Sequence, residues 1–71
     1  MVRIPKHAIN WLVARLHVST SDDAVKADIR KRCTAAQWTE AKIVEAEKYA
    51  VKSHRRNQAL YQSVMMSGRN I

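Results

Sequence analysis

Glycine, proline and cysteine are almost absent from this 71-residue chain, which has one of each and no phenylalanine. A lone cysteine, Cys33, excludes an internal disulfide, and no Cys and His residues show the spacing of a structural zinc site. A chain this short buries only about 60% of its unfolded surface, so its stability must come from helix packing, with or without self-association.

Long apolar runs are also missing. Residues 8–14 are the most apolar segment, but Asn10 interrupts it, Arg15 follows it, and no A-x-A cleavage site comes after. No run approaches the roughly 18 apolar residues of a transmembrane helix. We therefore expect a cytoplasmic, reducing compartment and no membrane partner.

Catalytic motifs are absent as well. His7, His17 and His54 have no second metal ligand three or four residues away, and the chain has no HExxH motif, Ser-His-Asp order or glycine-rich phosphate loop. We expect no enzymatic activity, no metal, no cofactor and no small-molecule substrate. The register of Cys33 with Val25 and Ile29 predicts a buried structural thiol.

What remains is a pattern typical of helices. The one proline and the one glycine lie near the ends of the chain. Pro5 suits the first turn of a helix, and Gly68 suits a position just past the end of a helix. The first predicted helix spans 5–17. Its buried stripe is Ile9, Leu12, Val13 and Leu16, widened by Ala8 and Trp11.

Two further helices follow. The connection 18–21 offers three hydroxyls as caps, and Thr20 with Asp23 resembles a capping box. The second helix spans 22–33 with a thin apolar line of Val25, Ile29 and Cys33, and residues 34–37 are either loop or a further helical turn. The third helix spans 40–66, with Thr39 as N-cap and a hydrophobic staple between Trp38 and Ile43.

The middle of the third helix, residues 52–58, is wholly polar and separates two apolar halves. This pattern argues against a long, uniformly packed helix. Four arrangements of the second half remain open. It projects past the bundle, it pairs with another chain, it follows a kink or break in the helix, or it folds back over Trp11 or Leu16. The predicted fold is one all-α domain, 1–71, in which two short helices pack on a longer C-terminal helix and residues 67–71 form a flexible tail.

The charge is large and uneven. Thirteen basic and six acidic residues give +7, and residues 48–71 hold five bases and no acid. Lys48, Lys52 and Arg56 recur every four residues on one helix face, with Arg55 beside them, and Arg30 and Arg32 supply further charge. Such a strip favours contact with nucleic-acid phosphates, and Asn57 and Gln58 are of the types that read adenine edges. The alternative is a basic face that is merely solvated.

The second helix, the 34–38 turn and the third helix have the order of a helix-turn-helix. The match is weak, because this turn has five residues and no glycine and the third helix is unusually long. The main hypothesis is a small non-enzymatic accessory protein that binds nucleic acid through its basic C-terminal helix.

The rival hypothesis is a protein-interaction module or homodimer that uses the apolar end of that helix. The residues expected at this interface are Leu60, Tyr61, Val64 and Met65. Methionines adapt to irregular surfaces and suit such contacts. An acidic protein surface is a further possible partner for the basic strip.

Overall fold

The computed structural model describes residues 3–68, with side chains described as far as Val64. It has three helices, α1 (Lys6–Ala14), α2 (Asp22–Ala35) and α3 (Glu40–Gly68), and no strand among the described residues. The long α3 packs against both shorter helices, which touch each other only slightly. The predicted all-α arrangement of two short helices on a longer third one is confirmed.

Contacts along α3 give the helix directions. Asp22 at the start of α2 meets Arg55, and Arg30 further along α2 meets Glu47, so α2 and α3 run antiparallel. In contrast, α1 runs parallel to α3, because Lys6 lies over Tyr49 and Asn10 bonds Ser53. The α2–α3 pair is therefore a side-by-side hairpin, whereas the helices of a helix-turn-helix cross steeply.

The core lies between the three helices. It consists of Ile9 and Val13 from α1, Val25, Ile29 and Cys33 from α2, and Ile43, Ala46 and Ala50 from α3. The predicted apolar lines of the first two helices and the buried thiol of Cys33 are confirmed. The placement of Trp11 in the core stripe is wrong, since this side chain is 63% exposed. It lies two residues from both Ile9 and Val13, which puts it about 200° around the helix from each.

The first helix ends at Ala14, three residues before the predicted end at 17. The imidazole Nδ1 of His17 accepts the backbone N–H of Ser19 at 3.1 Å, and the Ser19 hydroxyl also bonds it at 2.7 Å. Local side-chain bonds of this kind compete with helix continuation. The next helix is capped by Ser21, whose Oγ accepts the N–H of Ala24, rather than by Thr20 as the capping-box pattern suggested.

The second helix runs to Ala35, two residues past the predicted end, and closes with a Schellman motif. The Gln37 N–H donates to the Thr34 carbonyl at 2.9 Å and the Trp38 N–H donates to the Cys33 carbonyl at 3.0 Å. Gln37 adopts the left-handed conformation, with φ of 64°, at the position where glycine is usual. Part of the ambiguous segment 34–37 is thus helix and the rest is its cap.

The predicted start of the third helix is confirmed. Thr39 Oγ1 accepts the N–H of Lys42 at 3.3 Å, and the Thr39 carbonyl accepts the N–H of Ile43 at 2.9 Å. Trp38 packs against the core cluster that includes Ile43. The predicted N-cap is confirmed, and Trp38 packs on the cluster to which its predicted staple partner belongs.

The polar middle of α3 does not break the helix, and its inward-facing side chains bond the α1 helix and the α1–α2 connection. The Ser53 hydroxyl donates to Asn10 Oδ1 at 2.8 Å, His54 Nε2 bonds the Thr20 carbonyl at 2.7 Å, and the Gln58 amide donates to the Val18 carbonyl at 2.6 Å. Ser53 and His54 are buried. The polar segment is therefore packed on one face only, since Lys52, Arg55 and Arg56 are exposed.

Beyond Gln58 the helix continues past the other two. Its 29 residues span about 43 Å at 1.5 Å each, and the molecule is 48 Å long but only 22 by 15 Å across. Residues as far as Val64 do not fold back over Trp11 or Leu16, since Leu60, Tyr61 and Val64 are 51–70% exposed. Ser67 and Gly68, expected in a flexible tail, are helical, and residues 69–71 of that tail lie outside the described residues.

Candidate nucleic-acid interface

A groove of about 490 Å³ runs between the N-terminal segment and the first half of α3. Arg3 and Lys6 line it from the N-terminal part of the chain, and Lys48 and Lys52 line it from α3. Ile4 and Tyr49, which also line it, pack against the core, and we call these two side chains its apolar floor. We call this feature the basic groove. Its position follows from the parallel packing of α1 on α3, which sets the N-terminal segment beside the turns that carry residues 45–52.

The basic groove carries a formal charge of +3, because its four cations are opposed only by Glu45. The Glu45 carboxylate lies 3.8 Å from Lys48 Nζ, and both side chains are at least half exposed. Ion pairs in such exposed positions are weak and are screened by salt. The ammonium of Lys6 lies 5.7 Å from the centroid of the Tyr49 ring, a cation–π contact. The positive charge of the groove therefore stays available to an anion.

The predicted cationic strip forms one side of this groove and continues beyond it. Lys48, Lys52 and Arg56 are exposed and follow one another at four-residue steps, about 6 Å apart along the helix axis. Among the described side chains, neither Lys52 nor Arg56 forms an ion pair. These three residues keep the orientation toward solvent that phosphate contact requires.

The other three predicted site residues hold carboxylates. Arg30 bridges α2 and α3, with Nη2 at 2.9 Å from Glu40 Oε1 and at 2.6 Å from Glu47 Oε1. The two carboxylates raise the pKa of the Arg30 guanidinium, and the hydrogen bonds from Arg30 hold the pKa of Glu40 below its usual value. Arg30 therefore acts as an interhelical tie.

Arg32 and Arg55 are paired as well. The Arg32 Nε lies 3.0 Å from Asp28 Oδ2 one turn earlier on α2, and Arg55 donates from Nε and Nη2 to Asp22 Oδ2 at 3.2 and 2.7 Å. An arginine in such a pair contacts a phosphate only if it leaves or shares its carboxylate. Of the six predicted cations, Arg30, Arg32 and Arg55 are thus held by hydrogen-bonded ion pairs, whereas the other three line the exposed strip, where Lys48 forms only the weak, solvent-exposed pair with Glu45.

Two cations of the basic groove, Arg3 and Lys6, are not among the site residues that the sequence predicts. They lie more than forty positions from Lys48 and Lys52, and no local pattern links them. The sequence does contain one indication of this groove. Residues 1–21 carry no acid, as is true of residues 48–71, so both ends of the chain are basic. Only the parallel register of α1 and α3 joins the two ends in one groove.

The polar residues next to the strip differ in their availability. The Gln58 amide is committed to the Val18 carbonyl, so reading an adenine edge would cost that bond. Asn57 is partly buried. The structure therefore gives no support to direct base reading by this pair.

The expected partner interface at the end of α3 is exposed as far as it is described. Leu60, Tyr61 and Val64 are large apolar side chains open to solvent, and the side chain of Met65 lies outside the described residues. Tyr61 also lines a smaller groove beside Val18 and Gln62.

Three further properties bear on function. Across the described part of the chain, no three His, Cys, Asp or Glu side chains are grouped so as to hold a metal ion. No helix between residues 3 and 68 has the length and apolar character needed to cross a membrane. Burial raises the pKa of the Cys33 thiol, which disfavours the reactive thiolate.

Comparisons with known proteins give no relative to this chain. No protein-family model, no curated protein and no solved structure matches it. Its function must be argued from its own surface.

Proposed function

We propose that this chain is a small non-enzymatic nucleic-acid-binding accessory protein that contacts phosphates through the basic groove and the adjoining strip. One observation carries the proposal. Five exposed cations from two distant segments, Arg3, Lys6, Lys48, Lys52 and Arg56, share one surface, while three of the other arginines are paired with carboxylates. With Glu45, these five cations give the surface a formal charge of +4 out of the net +7 of the chain.

Such a surface suits a polyanion better than a single small anion. Each phosphate that a lysine or arginine neutralises releases a condensed counterion, so several modest contacts add up at low salt. With four contacts, affinity falls roughly 50- to 150-fold between about 50 and 200 mM salt, because each contact contributes about 0.7–0.9 to the slope of log K against log salt. Phosphate contacts of this kind carry little sequence information, so binding is weakly specific.

The test compares two double variants of equal charge by fluorescence anisotropy with a labelled oligonucleotide. Lys48→Gln with Lys52→Gln removes two cations of the basic groove. Lys26→Gln with Lys31→Gln removes two exposed cations of α2 that do not line it. Both variants lower the formal net charge from +7 to +5.

We expect the groove variant to bind at least about tenfold more weakly at about 50 mM salt and to lose about 1.4–1.8 from the salt slope. The α2 variant should change affinity only slightly, through the general field of the protein. The proposal fails if the wild-type chain does not bind at low salt, or if both variants lose affinity equally.

A second candidate function is supported by the exposed apolar side chains past the bundle. Leu60, Tyr61 and Val64 lie on a helical segment that carries no charged residue from Asn57 to Gly68. An uncharged, apolar surface on a strongly basic protein is suited to a protein partner or a second copy. This candidate describes an interaction module, and it is compatible with phosphate binding elsewhere on the chain.

Sedimentation velocity over a range of concentrations tests the homodimer. Leu60→Lys with Val64→Lys should abolish any concentration-dependent increase in the sedimentation coefficient, whereas Gln62→Lys with Ser63→Lys serves as a control of equal charge. A wild-type chain that sediments as a monomer at every concentration removes the homodimer, and an unchanged coefficient in both variants removes this segment as its interface.

A further inference from the structure

We infer that the basic groove receives single-stranded nucleic acid, with a base resting on its apolar floor and neighbouring phosphates on its cationic sides. This inference rests on the proposed function and narrows it to one substrate class. It arises from the combination of an aromatic floor with cations on two sides, which phosphate contact alone does not require.

The floor is the first observation. Tyr49 packs against the core on one side, lines the groove on the other and is only partly exposed. Ile4 extends this apolar floor from the N-terminal segment. An aromatic ring fixed in this way provides a face on which a nucleobase stacks, and every base offers a π-face irrespective of sequence.

Lys6 already occupies part of that face. Its ammonium lies 5.7 Å from the Tyr49 centroid, held by a flexible, exposed side chain. A base that enters the groove displaces the ammonium sideways toward a phosphate, where it gains a full negative charge in place of the weaker field of the ring. The contact that covers Tyr49 in the free protein is therefore easily exchanged for a ligand.

The sides of the groove are the second observation. Lys48 and Lys52 follow one another about 6 Å apart along α3, and Arg3 and Lys6 face them from the N-terminal segment. Positive side chains that track a backbone beside an aromatic platform are the combination by which proteins bind single strands without sequence preference. Arg56 continues the strip beyond the groove for a further phosphate.

The shape of the site disfavours a duplex. In a double helix the base faces are stacked inside, so Tyr49 would find no ring to meet, and the outer phosphates would contact only the upper parts of the cationic side chains. A concave volume of about 490 Å³ is of the size that encloses a small organic ligand, and it is far too small to admit a duplex. A single strand, by contrast, turns its bases outward and can use floor and sides together.

The experiment measures the affinity of the full chain for three probes with the same number of phosphates. They are an oligothymidylate, an abasic strand of equal length, and a hairpin duplex. We expect the oligothymidylate to bind roughly fivefold to a hundredfold more tightly than the abasic strand, the range for one base stacked on an aromatic ring. The duplex should bind more weakly than the oligothymidylate at equal salt.

Variants of Tyr49 locate the effect. Tyr49→Phe keeps the ring and should bind within twofold of the wild type, while Tyr49→Leu should lose the preference for oligothymidylate over the abasic strand. Thermal unfolding followed by circular dichroism establishes that each variant is folded. If Tyr49→Leu does not fold, the comparison of probes on the wild-type chain still decides.

The outcomes separate the two proposals. Equal affinity for the abasic strand and oligothymidylate, or tighter binding of the duplex, overturns the single-strand inference and leaves nucleic-acid binding standing. No binding of any probe at low salt overturns both. Tighter binding to vesicles of phosphatidylcholine with one third phosphatidylglycerol than to any oligonucleotide also overturns both.

Discussion

Replacing His54 by alanine should destabilise this protein more than its position in a polar run suggests. The imidazole is 1% exposed and is among the largest fully buried side chains, and its Nε2 bonds the Thr20 carbonyl at 2.7 Å. It therefore fills core volume and ties α3 to the connection between α1 and α2. Both contributions are lost in His54→Ala.

The magnitude follows from these contacts. Truncation of a large buried side chain to alanine costs about 2–5 kcal/mol, and an unpaired buried carbonyl adds about 1–3 kcal/mol. The substitution also removes Nδ1 of His54, a buried atom with no hydrogen-bond partner among the described residues, and this removal lowers the free-energy cost. Because an unpaired buried polar atom costs about 1–3 kcal/mol, removing Nδ1 offsets the lost carbonyl bond and leaves a net loss of about 2–5 kcal/mol. A chain of 71 residues typically has about 4–11 kcal/mol of stability in total.

Thermal unfolding followed by circular dichroism measures this loss. A decrease of about 2–5 kcal/mol corresponds to a fall of roughly 10–40 °C in Tm for a domain of this size. The matched control is Arg56→Ala, a large polar side chain in the same helical turn that is exposed and unpaired among the described residues. Exposed substitutions of this kind stay within about 0.5 kcal/mol of the wild type.

Equal unfolding temperatures for His54→Ala and Arg56→Ala would contradict the burial of the His54 side chain. Such a result would mean that the polar middle of α3 is solvated and that the helix leaves the bundle near residue 52. A fall in Tm confined to His54→Ala would instead support the inward packing of this segment.

Three further predictions concern the C-terminal cap of α2, the buried thiol of Cys33 and the ion pair between Arg30 and Glu40. Gln37→Gly should raise stability by about 0.5–1 kcal/mol, because the left-handed conformation of Gln37 strains a residue with a Cβ; Gln37→Ala should give no such gain in urea unfolding. Cys33 is buried and its thiol pKa is raised, so labelling by a disulfide reagent at mildly alkaline pH should be slow in the native chain and fast in urea; rapid native labelling would contradict its burial. Because Arg30 lowers the pKa of Glu40 in the folded chain, the ionised carboxylate stabilises the fold at pH values above the unfolded-state pKa. This stabilisation is lost as the pH falls below about 4.5. Arg30→Gln should therefore flatten the decline of Tm in acid, and an unchanged pH profile would show that the tie is not populated in solution.

Several features of the fold could be predicted from the sequence because they depend on neighbours along the chain. The four-residue spacing of Val25, Ile29 and Cys33 sets them on one helix face, and that face is buried. Thr39 caps the start of α3 through a hydrogen bond from the N–H three residues along the chain. Because the chain has only one glycine and one proline, the two residues that most disfavour a helix rarely interrupt it.

Local patterns failed where the deciding contact was distant or where an unusual residue served a familiar role. Gln37 closes α2 in a conformation that glycine normally takes, so the cap has no signature in composition. Ser53, His54 and Gln58 are polar in any window of sequence. Their acceptors come from α1 and the connection that follows it, 34–43 residues earlier, and only the register of α3 brings them within bonding distance.

The same division applies to the candidate site. Composition alone determined that the chain is basic, that it has one cysteine and that its C-terminal third carries no acid. Which cations remain available was decided by tertiary structure, because pairing of Arg30 and Arg55 with carboxylates depends on the antiparallel register of α2 and α3. The basic groove exists only because α1 packs parallel to α3. Side-chain periodicity defines the faces of each helix, but the packing of helices decides which charged faces meet and which are left to solvent.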